Sequence, residues 1–210
     1  SKVGDTIVDW RDDKVVAGVK DQSSCGSCWA FSAVGALESA YALKGNALTT
    51  FSEQQLVDCS WGFGNEGCNG GWMDQAFNYL KGKDICKTDD FRAYNAKDNK
   101  ACDESKCTSG IRVVGISGVP AGNADALDAA LSHGPVSVAV DASNWSQYRG
   151  GVFSNCASNL NHGVLLVGAT ADFWIIKNSW GSRWGENGFM NIKRGDTCGI
   201  AQAASYPILN

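Results

Sequence analysis

Nine cysteines run through this chain of 210 residues, and an odd number cannot all be paired within one molecule. The simplest partition is an even set held in disulfides plus one free thiol. Such a set points to an oxidising or lysosome-like compartment. Counting leaves the pairing open. Two of the nine stand three apart in Gln22-Ser23-Ser24-Cys25-Gly26-Ser27-Cys28-Trp29-Ala30-Phe31-Ser32. Cys25-x-x-Cys28 has zinc-ligand spacing, but no second pair follows and no histidine sits at finger spacing. It also has the spacing of a redox pair, without the βαβ pattern that surrounds one. Beyond it, Ala30, Val34, Leu37 and Tyr41 recur at helical intervals and Gly45 marks a stop, which predicts a helix over about 28–43. Cys28 then falls at a helix N-terminus, where unpaired N–H groups and the macrodipole favour a thiolate.

Composition excludes some functions. A net charge of −4 argues against nucleic acid, whose phosphates call for a basic patch. No apolar run reaches the roughly 18–20 residues that span a bilayer. Hydrophobic residues make up 44% of the chain, ample for one large domain or two small lobes. Ser1-Lys2-Val3-Gly4 is no signal peptide. No repeat or low-complexity run is present.

Residues 1–21 read as an extended arm. In the first helix Trp29, Phe31, Leu37 and Tyr41 are expected in the core. Ser52-Glu53-Gln54-Gln55 reads as a capping box opening a short helix to about Asp58. The glycines of 60–71 predict a loop. Trp72, Ala76, Phe77 and Leu80 at helical spacing predict a third helix from Trp72 to Leu80. Residues 81–110 are polar and carry Cys86, Cys102 and Cys107; a stretch so long needs disulfides to stay compact. In the second half, Ile111–Ile116, Val136–Val140, Val164–Val167, Phe173–Ile176 and Phe189–Lys193 read as strands. A helix over Asn123–Ser132 has Asn123 at its N-cap. Gly168 to Asp172 is a short loop. Helices first and strands second make an α+β chain.

Cys25-Gly26-Ser27-Cys28-Trp29 resembles the nucleophile signature of papain-like cysteine proteases, in which a histidine and an asparagine follow about 130–150 residues downstream. Here His162 lies 134 residues on, in Leu160-Asn161-His162-Gly163, and Asn178 lies 150 on, in Lys177-Asn178-Ser179-Trp180-Gly181. The resemblance runs from Val8-Asp9-Trp10-Arg11 to Ser205-Tyr206-Pro207, nearly the whole chain, and is to the cathepsin L-like group in its mature form, after loss of a propeptide. It implies a single catalytic domain over 1–210 of two lobes. A helical lobe spans about 12–112 and an antiparallel β-barrel-like lobe about 113–205. Terminal arms cross between the lobes, and the active-site cleft lies between them. It implies the bridges Cys25–Cys68, Cys59–Cys102 and Cys156–Cys198, which leave Cys86 and Cys107 for a fourth and Cys28 free. Relatives usually carry Tyr-Pro-Tyr where this chain has Phe91-Arg92-Ala93-Tyr94, so the local backbone is expected to differ.

The resemblance also implies roles. Cys28 is the nucleophile and His162 its acid/base partner. His133, in Leu131-Ser132-His133-Gly134, ends a predicted helix and complements its dipole instead. Asn178 orients the imidazole as the carboxylate does in Ser-His-Asp sites, and Trp180 shields that bond. Gln22 joins the Cys28 N–H in holding the oxyanion. Gly70-Gly71 offers backbone to an extended substrate. Trp72, Met73, Ala139, Leu160 and Ala203, with Asn161 and Trp180 alongside, bind substrate. That pocket is uncharged, so a hydrophobic residue is expected second from the scissile bond in preference to Arg, whose burial without a partner is unfavourable. No paired-histidine loop blocks the cleft, which implies an endopeptidase. The other readings are a peptide ligase or transpeptidase of the same fold and a non-catalytic binding homologue. Loss of Cys28, His162 or Gln22 would favour the last, and all three are present. No cofactor and no metal are implied. The expected partners are protein and peptide substrates, a propeptide and cystatin-like inhibitors, with no nucleic acid, no membrane and a monomeric state. The expected location is lysosomal, vacuolar or secreted. Asn144-Trp145-Ser146 is the one glycosylation sequon.

Overall fold

The computed structural model describes residues 6–99 and 101–210. Its first long helix, α1 (Cys28–Leu43), buries twelve of its sixteen residues. A helix apolar nearly all round belongs inside a fold, and α1 runs between the other helices and the sheet. Its small residues let strands approach closely. A Cβ at Gly35 would stand 3.0 Å from Leu165 Cδ2. Ser32 Oγ donates to Val164 O at 2.7 Å and Ser137 Oγ donates to Ser32 O at 3.1 Å.

Helix α2 (Glu53–Cys59) is capped by Ser52, whose Oγ accepts from Gln55 N at 3.0 Å. The expected box is only half formed. Gln55 does not return to the Ser52 N–H, which instead donates to Cys86 O at 3.0 Å. The buried Gln55 amide donates to Asp84 O at 3.0 Å and accepts from Cys86 N at 2.8 Å. It anchors the polar segment beyond. Helix α3 (Met73–Leu80) starts one residue later than the periodicity suggests. Trp72 is extended at its N-cap and 43% exposed, while Met73, Ala76, Phe77 and Leu80 face the core.

Between Lys81 and Arg112 there is no α-helix or strand among the described residues, only a 3-10 turn at Thr88–Asp90. Disulfides Cys59–Cys102 and Cys86–Cys107 pin the segment, and Phe91 packs on the second. Bridge Cys25–Cys68 ties the approach to α1 to the glycine loop, and Cys156–Cys198 joins two loops of the second half.

The strands are β1 (Thr6–Asp9), β2 (Val113–Gly118), β3 (Val136–Val140), β4 (Val152–Phe153), β5 (His162–Thr170), β6 (Phe173–Lys177), β7 (Phe189–Lys193) and β8 (Ala204–Leu209). They form one sheet in the order β2-β8-β3-β5-β6-β7-β4, with β1 on β5. All pairings are antiparallel except β4 with β7. Helix α4 (Ala124–Leu131) precedes β3, with Asn123 Oδ1 accepting from Ala126 N at 2.9 Å. β2 lies two residues later than expected. β5 is longer at both ends, so only Ala171 and Asp172 separate it from β6. Its nine residues are all buried; β3 pairs with His162–Leu166 and β1 with Gly168–Thr170. A sheet partner contributed by a distant arm leaves no local trace in sequence.

Two apolar cores result. One joins α1, α2 and α3 to Leu165 and Val167 of β5; the other joins Leu127 and Leu131 of α4 to Val138, Trp174 and Ile176. Beneath α1, Lys20 Nζ bridges Glu38 Oε2 at 2.9 Å and Glu53 Oε2 at 2.6 Å, with the buried Lys177 beside them. Burial and the neighbouring Glu38 push the Glu53 carboxyl up to about 7, against the pull of Lys20.

Candidate active site

Cys28 is the first residue of α1, preceded by Ser27 at the N-cap. It is the free cysteine among the described residues, since Cys25 is bonded to Cys68. The chain reaches it through a tight crossing. Gly26 N donates to Cys68 O at 2.8 Å, and a Cβ at Gly26 would stand 2.4 Å from that oxygen. Only glycine passes there.

His162 opens β5, where its Cα pairs in register with Val140 of β3. The residue is 8% exposed. Nε2 meets Asn178 Oδ1 at 2.7 Å, so Nδ1 is left for the thiol. Asn178 Oδ1 also accepts from Ser179 N at 2.8 Å. Trp180 lies over the imidazole with ring centroids 4.9 Å apart, and Trp145 meets it edge-on at 5.9 Å.

Gln22 is brought to the same place by short backbone pairing. Its N–H donates to Ser179 O at 2.8 Å, and Gly181 N donates to Lys20 O at 3.1 Å. Gln22 Oε1 accepts from Ser179 Oγ at 2.7 Å, and Nε2 donates to Cys25 O at 3.0 Å. The amide has a second hydrogen to offer. Two of these contacts come from residues that sequence reasoning passed over. Ser179 fixes the Gln22 amide. Tyr94 donates its hydroxyl to Gln22 O at 2.6 Å, meets Ser27 Oγ at 2.7 Å and packs edge-on to Phe31. Tyr94 lies where the family's Tyr-Pro-Tyr is missing, and that departure was the one available signal.

Cys28, His162, Gly70, Gly71, Trp72, Met73, Ala139, Leu160 and Asn161 line one hollow of ≈ 300 Å³. A Cβ at Gly71 would stand 2.8 Å from the Trp29 ring, so the cleft wall there is backbone. The Gly70 carbonyl is already taken by Glu66 N at 2.8 Å. The Asn161 amide turns away from the hollow. It accepts from Ala142 N at 2.9 Å and donates to Ser143 Oγ at 2.9 Å. Ala203 lines an adjoining hollow of ≈ 420 Å³ that shares Trp72 and Met73 with the first, and its carbonyl accepts from the N–H of Ala139, a wall of the first, at 3.1 Å. The buried Met73 thioether packs so near Gly163 that a Cβ there would stand 2.9 Å from its sulfur.

His133 stands elsewhere, stacked on Tyr206 with centroids 6.3 Å apart. Asn144 is exposed and donates to Asn155 O at 3.0 Å, while Trp145 of the same sequon is fully buried.

Burial acts alike on both candidate reactive groups. It pushes the Cys28 thiol up, against the pull of backbone N–H groups including Gly163. It pushes His162 down to about 4, against its bond to Asn178. Neither group can hold a charge alone at low cost. A thiolate and an imidazolium side by side can, because each offsets the other's loss of water.

Residues 5–208 match the family model described as papain family cysteine protease. "Cathepsin L 2" of Paramecium tetraurelia is 51% identical over 205 residues, covering 96% of this chain and 64% of the relative. "Cathepsin L" of Sarcophaga peregrina is 46% identical, covering 95% and 62%. This chain thus spans a little under two thirds of the length of these curated relatives. Among solved structures, digestive procathepsin L 3 of Tenebrio molitor larval midgut superposes with a TM-score of 0.87 at 45% identity, covering 95% of this chain and 68% of that one. The bromelain protease of Ananas comosus, in complex with the E64 inhibitor, gives 0.89 at 38% identity, covering 97% and 98%.

Proposed function

This chain belongs to the papain family of cysteine proteases, and from that premise we propose that it is a cysteine endopeptidase acting through Cys28. The observation that carries the reading is one hollow holding a lone thiol at a helix N-terminus on one wall and an imidazole held by Asn178 at 2.7 Å on the other.

The Cys28 thiolate attacks the scissile carbonyl carbon. Negative charge moves to the carbonyl oxygen, which the Cys28 N–H and the Gln22 amide stabilise. The intermediate collapses, His162 gives its proton to the departing amine, and an acyl-enzyme remains. His162 then takes a proton from water, the hydroxide attacks the thioester, and the acid product leaves with Cys28 regenerated as thiolate and His162 again protonated. Asn178 holds the ring in one orientation throughout.

An extended substrate lies along Gly70-Gly71 in the manner of an added strand. Its second residue from the scissile bond enters the first hollow, between Trp72, Met73, Ala139 and Leu160. These walls are uncharged, so Leu, Val or Phe is preferred to Arg there. The residues about 12–112 and about 113–205 act as the two lobes of one catalytic domain. The partners are protein and peptide substrates, a propeptide and cystatin-like inhibitors. The enzyme works as a monomer in a lysosome or vacuole, or after secretion. One equivalent of a thiol alkylator should label the Cys28 peptide and abolish cleavage of blocked dipeptide substrates, and Cys28→Ala should lose at least about 10⁴-fold in kcat/KM. Label at another cysteine, or activity surviving in the variant, overturns the proposal.

A further inference from the structure

A cavity of ≈ 20 Å³ lies where Asn178 meets the buried charges beneath α1, and Ser32, Glu38, Lys177 and Asn178 are among its walls. Two of these residues carry a buried polar atom with no hydrogen-bond partner, Glu38 Oε1 and Asn178 Nδ2. The ammonium of the buried Lys177 forms no hydrogen bond or ion pair among the described residues. A charged acceptor, an amide donor and an ammonium donor therefore border one small space. About 10–15 Å³ is room for one water. Left unpaired, each of the three groups would bear the full cost of its lost hydration.

We propose that one internal water fills this cavity and makes Glu38 a positioning residue for Asn178. The water accepts from Asn178 Nδ2 and Lys177 Nζ and donates to Glu38 Oε1. Three bonds are the usual complement of a buried water. The acceptor is itself fixed, because Glu38 Oε2 takes hydrogen bonds from Lys20 Nζ at 2.9 Å and Phe51 N at 3.0 Å. The consequence falls on the Asn178 amide. Ser179 N already ties its Oδ1 at 2.8 Å, and the water ties its Nδ2. Held at both ends, the amide plane cannot swing, and Oδ1 stays where His162 Nε2 needs it, at 2.7 Å. The ammonium on one side of the water and the carboxylate on the other polarise it and strengthen each bond. The inference rests on the Cys28–His162–Asn178 chemistry proposed above. It adds a residue that touches neither the substrate nor the reacting atoms.

The first test needs no variant. A crystal structure of the wild-type protein, at a resolution that shows ordered water, should hold one water within about 3.2 Å of both Glu38 Oε1 and Asn178 Nδ2. A dry cavity, or a water bonded to only one of the two, overturns the proposal. The second test is kinetic. In Glu38→Gln the single amide oxygen is taken by Lys20 and the Phe51 N–H, so a donor faces the water in place of an acceptor. For a blocked dipeptide substrate kcat should fall about five- to tenfold, with KM changed by less than about twofold. In Asn178→Ala, which has no amide to hold, the same substitution should change kcat by less than about twofold. An unchanged kcat in Glu38→Gln, or an equal fall in both backgrounds, overturns the positioning role. A wild-type protein that cleaves no blocked dipeptide overturns the endopeptidase reading instead, and the diffraction result still decides whether the water is there.

Discussion

Two groups of buried charge lie back to back in this molecule. In the cleft, Cys28 and His162 line one hollow, each disfavoured by burial as an ion on its own. Behind them, Lys20 is locked between Glu38 and Glu53, next to Lys177, which directly precedes Asn178 in the chain. The second group is tied by hydrogen bonds. Glu38 Oε2 accepts both from Lys20 and from Phe51 N at 3.0 Å, while its Oε1 has no partner. The first has few ties beyond His162–Asn178. The lesson is that burial serves opposite ends. Where charges are fixed by several bonds, burial makes a joint between α1, α2 and the end of β6, just before Asn178. Where one proton can move between two groups, burial makes a reagent.

If the rear group is a joint, breaking it should cost stability first. Glu38→Ala leaves Lys20 half-paired and the Phe51 N–H without its acceptor, and should destabilise by about 3–5 kcal/mol. Urea unfolding at neutral pH measures this; a loss within the range of an ordinary surface change would reduce the cluster to decoration.

The two groups should also bend the pH dependence of folding in opposite directions. With no thiolate beside it, burial holds His162 at about 4 in the folded chain, below its ordinary 6.5. The unfolded chain therefore takes up the proton first, and the His162 contribution is full above about pH 6.5 and lost as pH falls to about 4. Glu53 is held at about 7, above an ordinary 4.5, so its contribution is full below about pH 4.5 and lost as pH rises to about 7. Each swing is at most about 3 kcal/mol. With Cys28→Ala as reference, which leaves His162 no thiolate partner, adding Glu53→Gln should make stability rise more steeply with pH, and adding His162→Ala should make it fall. Unchanged slopes would contradict both assignments.

The smallest effect should come from Tyr94→Phe, which removes the hydroxyl that holds Gln22 O and Ser27 Oγ. We expect about 1 kcal/mol of stability and a several-fold fall in kcat with KM little changed, since the loop it braces presents the oxyanion donors. A change in KM alone would point to a different role.

The catalytic candidates were legible because chemistry forces residue type and order. Cys28, His162, Asn178 and Gln22 were named through the resemblance of the motifs around them, in order and spacing, to the papain-like pattern. The α1 boundaries followed from periodicity, and the Asn123 cap from its position. What could not be read depends on partners distant in sequence. The Lys20–Glu38–Glu53 group joins three elements that no spacing rule links. Gln55 looked like half of a capping box, but a distant backbone at Cys86 competed for its amide and won. Trp72 fits the helical period yet caps the helix and stands in solvent, because the glycine loop enters from that side.

The central claim is that Cys28 is ionised only by virtue of His162. The direct measurement is thiolate absorbance against pH in the wild type and in His162→Ala, with the eight other cysteines held in disulfides. The account predicts a thiolate in the wild type well below the ordinary thiol range of about 8.5, and its disappearance to that range or above in the variant, where burial outweighs the pull of the backbone N–H groups. The same titration in both proteins would contradict it.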